Sequence, residues 1–173
     1  KYNRLNYTIM NELKRRDFIK SSTIIAGAAV AATTPVSAVF AAGSDVIKVA
    51  LIGCGGRGTG AAFDAMESGQ NIKIVALADV FQDSVDKAYE NLTKKYGDKI
   101  DVPASRRYVG FDAYKDAIKD ADVVLLTTPP GFRPIHFEEA VKAGKHVFME
   151  KPVAVDIPGI RKVLVAAEEA KRK

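Results

Sequence analysis

From Asp45 onward, short apolar runs alternate with amphipathic stretches whose apolar residues recur at helical spacing. That is the pattern of a parallel sheet covered by helices. The first run, residues 46–52 (VIKVALI), is rich in β-branched residues, ends in glycines and reads as a buried strand. Residues 56–68 read as a helix that packs through Ala61, Ala62, Ala65 and Met66 and stops at Gly69. Residues 72–78 form a second strand, and Gln82–Tyr96 a charged amphipathic helix closed by Gly97. A short third strand at Tyr108 and Val109 precedes a short helix over residues 111–118. The fourth strand, residues 122–127 (DVVLLT), is stopped by Pro129 and Pro130, whose rings remove the donors a ladder needs. A helix over residues 135–143 ends at Gly144, His146–Met149 is a fifth strand, and residues 157–171 make a final helix. Five strands with intervening helices predict an α/β fold of Rossmann type, a doubly wound parallel sheet in the order 3-2-1-4-5 with right-handed crossovers.

Upstream of Asp45 the pattern changes. A basic segment, Lys14-Arg15-Arg16-Asp17-Phe18-Ile19-Lys20, is followed by a weakly polar run over residues 21–40 rich in Ala, Thr and Gly, then by small residues that offer cuts after Ala38, Ala41 or Ala42. That order is an export signal, and Pro35 with the small-residue content argues for removal rather than anchoring. The arginine pair, with Phe18 two residues and Lys20 four residues after it, resembles the twin-arginine motif, read by a translocase that exports folded proteins. Residues 10–42 are therefore expected to be a twin-arginine signal peptide that sends the protein to the periplasm. Met10 is read as the start, with residues 1–9 as upstream read-through.

This leader also accounts for the charge. The chain of 173 residues carries a formal +5. Its first 42 residues hold Lys1, Arg4, Lys14, Arg15, Arg16 and Lys20 against Glu12 and Asp17, which leaves 20 basic and 19 acidic residues downstream, a net of +1. A globular part so nearly neutral gives no electrostatic case for a nucleic-acid partner. The lone Cys54 cannot form an internal disulfide, and no residue set is expected to hold a metal.

Two motifs point to a dinucleotide. Gly53-Cys54-Gly55-Gly56-Arg57-Gly58 is a G-x-G-x-x-G between the first strand and the first helix. Gly53 permits the tight turn, Gly55 and Gly56 let a pyrophosphate approach the backbone at the helix N-terminus, and Gly58 lets the helix lie close to the sheet. Asp79, at the end of the second strand, can accept both ribose hydroxyls of an adenosine and would repel a 2′-phosphate, which favours NAD over NADP. The alternative for Asp79 is a cap on the helix near Gln82. Arg57 keeps NADP open, since an arginine there can meet a 2′-phosphate, face the pyrophosphate or simply meet solvent.

The third motif is Gly144-Lys145-His146-Val147-Phe148-Met149-Glu150-Lys151-Pro152 at the fifth strand. Here the chain resembles, from about residue 46 to 173, the Gfo/Idh/MocA family of glucose-fructose oxidoreductase, inositol dehydrogenase and relatives, whose nucleotide domain ends in an A-G-K-H-V-x-x-E-K-P segment. The resemblance implies that Lys151 is the catalytic lysine, meeting the substrate hydroxyl or carbonyl beside the nicotinamide, that Glu150 positions the cofactor or Lys151, and that Pro152 makes a rigid turn, cis or trans. The chemistry fits, because hydride leaves a carbinol carbon only as its O–H proton is transferred. A lysine taken alone is a solvated turn residue.

Residues 127–136 (TTPPGFRPIH) resemble the family's T-P-N-x-x-H turn, with a longer spacing from Pro129 to His136. The resemblance implies cofactor contacts at Thr128 and Pro129, while His136 either positions the cofactor or packs locally at a helix start. Arg133 is expected to be a solvated loop arginine, with contact to a substrate as the alternative.

The family also implies a following α+β substrate domain, so residues 45–155 are assigned to the NAD(P)-binding domain and 156–173 to a linking helix that ends before it. The segment alone is then expected to be a fragment of low or no activity, with homo-oligomers formed by the full-length protein. The expected function is hydride transfer between NAD(P) and a sugar or polyol. An NAD-dependent glycoside hydrolase of the same superfamily and a non-catalytic nucleotide-binding module are the alternatives.

Overall fold

A computed structural model describes residues 46–172. The upstream read-through and twin-arginine assignments, residues 1–42, lie outside the described residues. The strands are β1 (Ile47–Ile52), β2 (Ile72–Asp79), β3 (Arg107–Val109), β4 (Val123–Leu126) and β5 (His146–Met149). They form one five-stranded sheet in the order β3-β2-β1-β4-β5, every neighbouring pair parallel. The predicted topology is thus the observed one. The helices are α1 (Gly56–Met66), α2 (Gln82–Tyr96), α3 (Ala113–Asp120), α4 (Arg133–Lys142) and α5 (Ile157–Ala170). Among the described residues no helix is long and apolar enough to cross a membrane.

Two hydrophobic layers flank the sheet, and strand alternation deals residues between them. Val49 and Leu51 enter the layer that includes Ala62 and Met66 of α1 and Val85, Ala88 and Leu92 of α2. Ala50 and Ile52 point to the opposite layer with Ala113, Tyr114, Ala117 and Ile118 of α3 and Ala140 of α4. In β2 the parity breaks. Ile72, Ile74 and Leu77 share the first layer because the register skips a residue, pairing Val49 with Ile74 but Ala50 with Ala76. The extra residue of this bulge lets a strand change parity without exposing its apolar face.

Several boundaries differ from the sequence expectation, each for a local reason. β2 extends to Asp79 because it pairs with Val109 of β3. α3 starts at Ala113, leaving Phe111 exposed. α4 starts at Arg133, because Pro134 in the first turn gives up only an N–H that has no intrahelical partner there. Short 3-10 turns at Gly97–Lys99 and Ala104–Arg106, and a bridge between Ile74 and Ile100, occupy the stretch between α2 and β3. α5 is held at its start by Asp156, whose Oδ1 accepts the Gly159 N–H at 2.8 Å. It buries Val163 and Ala166 and leaves Ile157, Leu164 and Val165 exposed.

Candidate functional site

The candidate site lies along the carboxyl ends of β1, β2, β4 and β5. After β1 the chain turns at Gly53, whose φ of +99° lies in the region that side chains avoid. Its N–H donates to Ala78 O at 2.8 Å and so ties the turn to β2. A Cβ on Gly58 would stand 1.8 Å from Gly53 O and 2.6 Å from Thr127 Oγ1, so α1 leaves the sheet at a distance only glycine permits. Thr127 closes the contact from β4, with its Oγ1 2.7 Å from Gly53 O. Gly55 and Gly56 are exposed, and a Cβ on either would meet nothing within 4 Å. The first turn of α1 has main-chain N–H groups without intrahelical partners, and with the open space around Gly55 and Gly56 this makes a cradle that fits a pyrophosphate.

Asp79 braces this loop from β2. Its Oδ2 accepts the Cys54 N–H at 2.7 Å and its Oδ1 accepts the Phe81 N–H at 3.0 Å. Phe81 precedes α2 but α2 has no side-chain cap, so the capping alternative reduces to a local turn. An ionised carboxylate has about four acceptor positions, so two remain for ribose hydroxyls. The Cys54 thiol beside it is buried, and burial first, then the Asp79 charge, pushes its pKa far above the ordinary thiol value. It stays a neutral packing group.

Asp79, Thr128, Pro129 and His136 come together around an apolar cleft of about 310 Å³ that is also lined by Ile52, Phe81, Phe111, Tyr114 and Phe132. The Phe111 and Phe132 rings, 6.2 Å apart, are both solvent-accessible. His136 is only 7% exposed, packs against the Tyr114 ring at 4.2 Å and lies 3.1 Å through Nδ1 from Thr128 Oγ1. Burial lowers its pKa to about 4, which keeps the ring neutral near pH 7. His136 thus packs locally at the start of α4, and its hydrogen-bond partner Thr128 lines the cleft wall.

Glu150, Lys151 and Arg57 occupy the other flank of β1. Glu150 is 7% exposed, and its Oε1 accepts from the Arg57 guanidinium while its Oε2 accepts the Lys151 N–H at 3.2 Å. The Arg57 hydrogen bond, more than any other influence, holds the Glu150 pKa below the usual carboxylate value. β5 and β2 lie on opposite sides of β1, and Arg57 is paired on the β5 side, with Glu150. Lys151 is exposed and precedes Pro152 through a cis peptide bond.

Arg133 departs furthest from expectation. It is not a solvated loop residue: it is 6% exposed and donates through Nε to Thr128 O at 2.7 Å and through Nη1 to the carbonyls of Glu150 (2.8 Å) and Pro152. Sequence reading missed it because a helix-start arginine after Phe132 has no pattern that separates it from a surface one.

The family model described as an oxidoreductase family with an NAD-binding Rossmann fold matches residues 47–173. The chain belongs to the Gfo/Idh/MocA family. Among curated proteins, this Gfo/Idh/MocA chain is 26% identical to a glycosyl hydrolase family 109 protein of Shewanella baltica (strain OS185) over 94% of its own length and 39% of that protein's. It is 25% identical, with the same coverage, to an alpha-N-acetylgalactosaminidase of Shewanella oneidensis. The chain thus spans about two-fifths of the length of these curated relatives. Among solved structures it resembles scyllo-inositol dehydrogenase from Lactobacillus casei with bound NAD(H) and scyllo-inositol, at 30% identity and a TM-score of 0.57, over 73% of this chain and 34% of that one. The apo form of that enzyme matches at 28% identity and a TM-score of 0.58. The described residues are therefore the NAD-binding Rossmann domain of an oxidoreductase family.

Proposed function

We propose that the whole protein is an NAD-dependent enzyme that moves a hydride between the nicotinamide and a sugar or polyol carbon, with Lys151 handling the substrate proton. The observation that carries this reading is the bridge from Arg57 through Glu150 to the Lys151 N–H, which joins the pyrophosphate cradle to the turn bearing the lysine. NAD, when bound, supplies the hydride acceptor. Gly55, Gly56 and the first turn of α1 would hold its pyrophosphate, Asp79 its adenosine ribose, and the cleft bounded by Phe81, Tyr114 and Pro129 its adenine. Glu150 fixes the main chain of Lys151, whose ammonium or amine exchanges a proton with the substrate oxygen. The ligands named for the Lactobacillus enzyme, NAD(H) and scyllo-inositol, favour a polyol-type substrate. We further propose export to the periplasm through the twin-arginine translocase, and assembly of the full-length protein into homo-oligomers.

A second reading, glycoside hydrolysis dependent on NAD, is favoured by one observation. The two Shewanella relatives, matched over 94% of the chain, carry the names glycosyl hydrolase family 109 protein and alpha-N-acetylgalactosaminidase. The deciding experiment gives the purified full-length protein NAD with scyllo-inositol and, separately, p-nitrophenyl N-acetyl-α-galactosaminide. Stoichiometric NADH from the first supports the oxidoreductase. Release of p-nitrophenol without net NADH supports the hydrolase, and silence in both assays sinks the two readings together.

A further inference from the structure

Lys151 stands on a turn that follows β5, the edge strand of the sheet. Such a turn has little around it to fix a side chain's origin, yet proton transfer between Lys151 and a substrate needs placement to within a fraction of an ångström. The carbonyls on both sides of Lys151, those of Glu150 and Pro152, accept from a single nitrogen, Arg133 Nη1. The same guanidinium donates through Nε to Thr128 O, on the wall of the apolar cleft. Arg133 is in turn fixed at the start of α4, a helix that buries Pro134, His136, Ala140 and Val141.

We infer that Arg133 is a positioning residue: it sets Lys151 at a fixed distance from the cleft that Thr128 and His136 line, by clamping the main chain on both sides of the lysine. This rests on the function proposed above. Burying a guanidinium is costly, and an apolar side chain would fill the same volume with no desolvation penalty. What an apolar side chain, or a lysine, lacks is a rigid fork of donors that reaches carbonyls of two loops at once. All three of these hydrogen bonds go to main-chain carbonyls, so the fork holds the backbone and engages neither the Thr128 hydroxyl, which meets His136, nor the Lys151 side chain.

The test replaces Arg133→Lys in the full-length protein, keeping the charge and removing the fork. Amide hydrogen exchange in residues 150–153 is expected to accelerate by about tenfold or more while residues 53–60 stay unchanged, a local loss of the tether. With whichever of scyllo-inositol or the aryl galactosaminide the wild type turns over, kcat is expected to fall about 100-fold. NAD affinity should fall less than kcat, since only the Thr128 tether reaches the cleft assigned to the adenine, and Arg133→Lys added to Lys151→Ala should cost nothing further in kcat, because the two act as one unit. Unchanged exchange at 150–153, a kcat within about threefold of wild type, or losses that multiply in the double variant each overturn the inference. If Arg133→Lys does not fold, Arg133→Gln takes its place. Failure of both to fold makes Arg133 a folding residue and also overturns it. A wild type inactive on both substrates, or an active one indifferent to Lys151→Ala, defeats the functional reading instead, and the exchange result then decides the tether by itself.

Discussion

Two loops share the carboxyl edge of the sheet and are built in opposite ways. The glycine loop after β1 is fixed by what it lacks: without a Cβ on Gly58, α1 approaches Gly53 O closely, and Thr127 and Asp79 only finish the contact. The Glu150–Pro152 turn after β5 is fixed by what is inserted, two arginines that reach it from α1 and α4. A loop that must touch a phosphate with its backbone gains from missing side chains. A turn that must present one side chain at an open sheet edge has no such neighbour to lean on and recruits charged side chains instead. The first design tolerates no added atom at Gly53 or Gly58, and the second tolerates no lost donor.

The contrast can be broken most forcefully at Gly58. Gly58→Ala forces Cβ into Gly53 O, and we expect a loss of about 3 kcal/mol or more, read from the urea midpoint of the full-length protein, since α1 must shift bodily. A variant as stable as wild type would show that close packing is not what fixes this loop.

Next in size is a pH effect on the apolar cleft that Thr128 and His136 line. The folded state holds the His136 pKa near 4, below its value in the unfolded chain, so below about pH 6.5 the unfolded chain takes up a proton that the fold refuses. Stability attributable to His136 is therefore complete above that pH and is lost as the pH falls toward 4, by about 3 kcal/mol at most. His136→Phe should flatten the acid side of the stability curve. A slope identical to wild type would mean that His136 is not held neutral.

Asp79→Asn sharpens the comparison on the glycine-loop side. NAD affinity, followed by calorimetry, is expected to weaken about tenfold, or about 1.4 kcal/mol, while affinity for NADP holds or improves. Equal losses for both cofactors would assign Asp79 to bracing the Cys54 and Phe81 amides alone.

The smallest effect is a control for Gly58. Gly144 has a φ of +68° and its Cβ would meet nothing within 4 Å, so Gly144→Ala is expected to cost about 1 kcal/mol in thermal or urea unfolding, through backbone strain without collision. A loss as large as that of Gly58→Ala would erase the distinction between a glycine kept for conformation and one kept for space.

Much of the fold was legible because its rules are local. Val49, Leu51, Leu77 and Leu126 stand in short apolar runs bounded by glycine or proline, and parallel strands buried on both faces require such runs. The glycine motif was readable for the same reason, since its spacing encodes one turn and one helix start. Phe111 and Arg133 were not, because helix starts near aromatic and proline residues depend on what the helix packs against. The bulge in β2 was also hidden, as residues 74–78 around it are apolar at every position and carry no parity to read.

By itself the sequence determined the elements, the glycine motif and Asp79 at the end of β2, through periodicity and residues close along the chain, with the strand order following from connection rules and the Glu150-Lys151-Pro152 turn from the resemblance to the family. Only the tertiary structure decided the partners of charged side chains. Arg57 and Glu150 are 93 positions apart and Arg133 and Glu150 are 17 apart, and no local rule distinguishes an arginine that meets water from one that the packing of α1 and α4 carries to a particular carboxylate or carbonyl. A long flexible side chain takes its role from whichever acceptors the folded backbone places within reach, and that is settled by where the helices lie on the sheet.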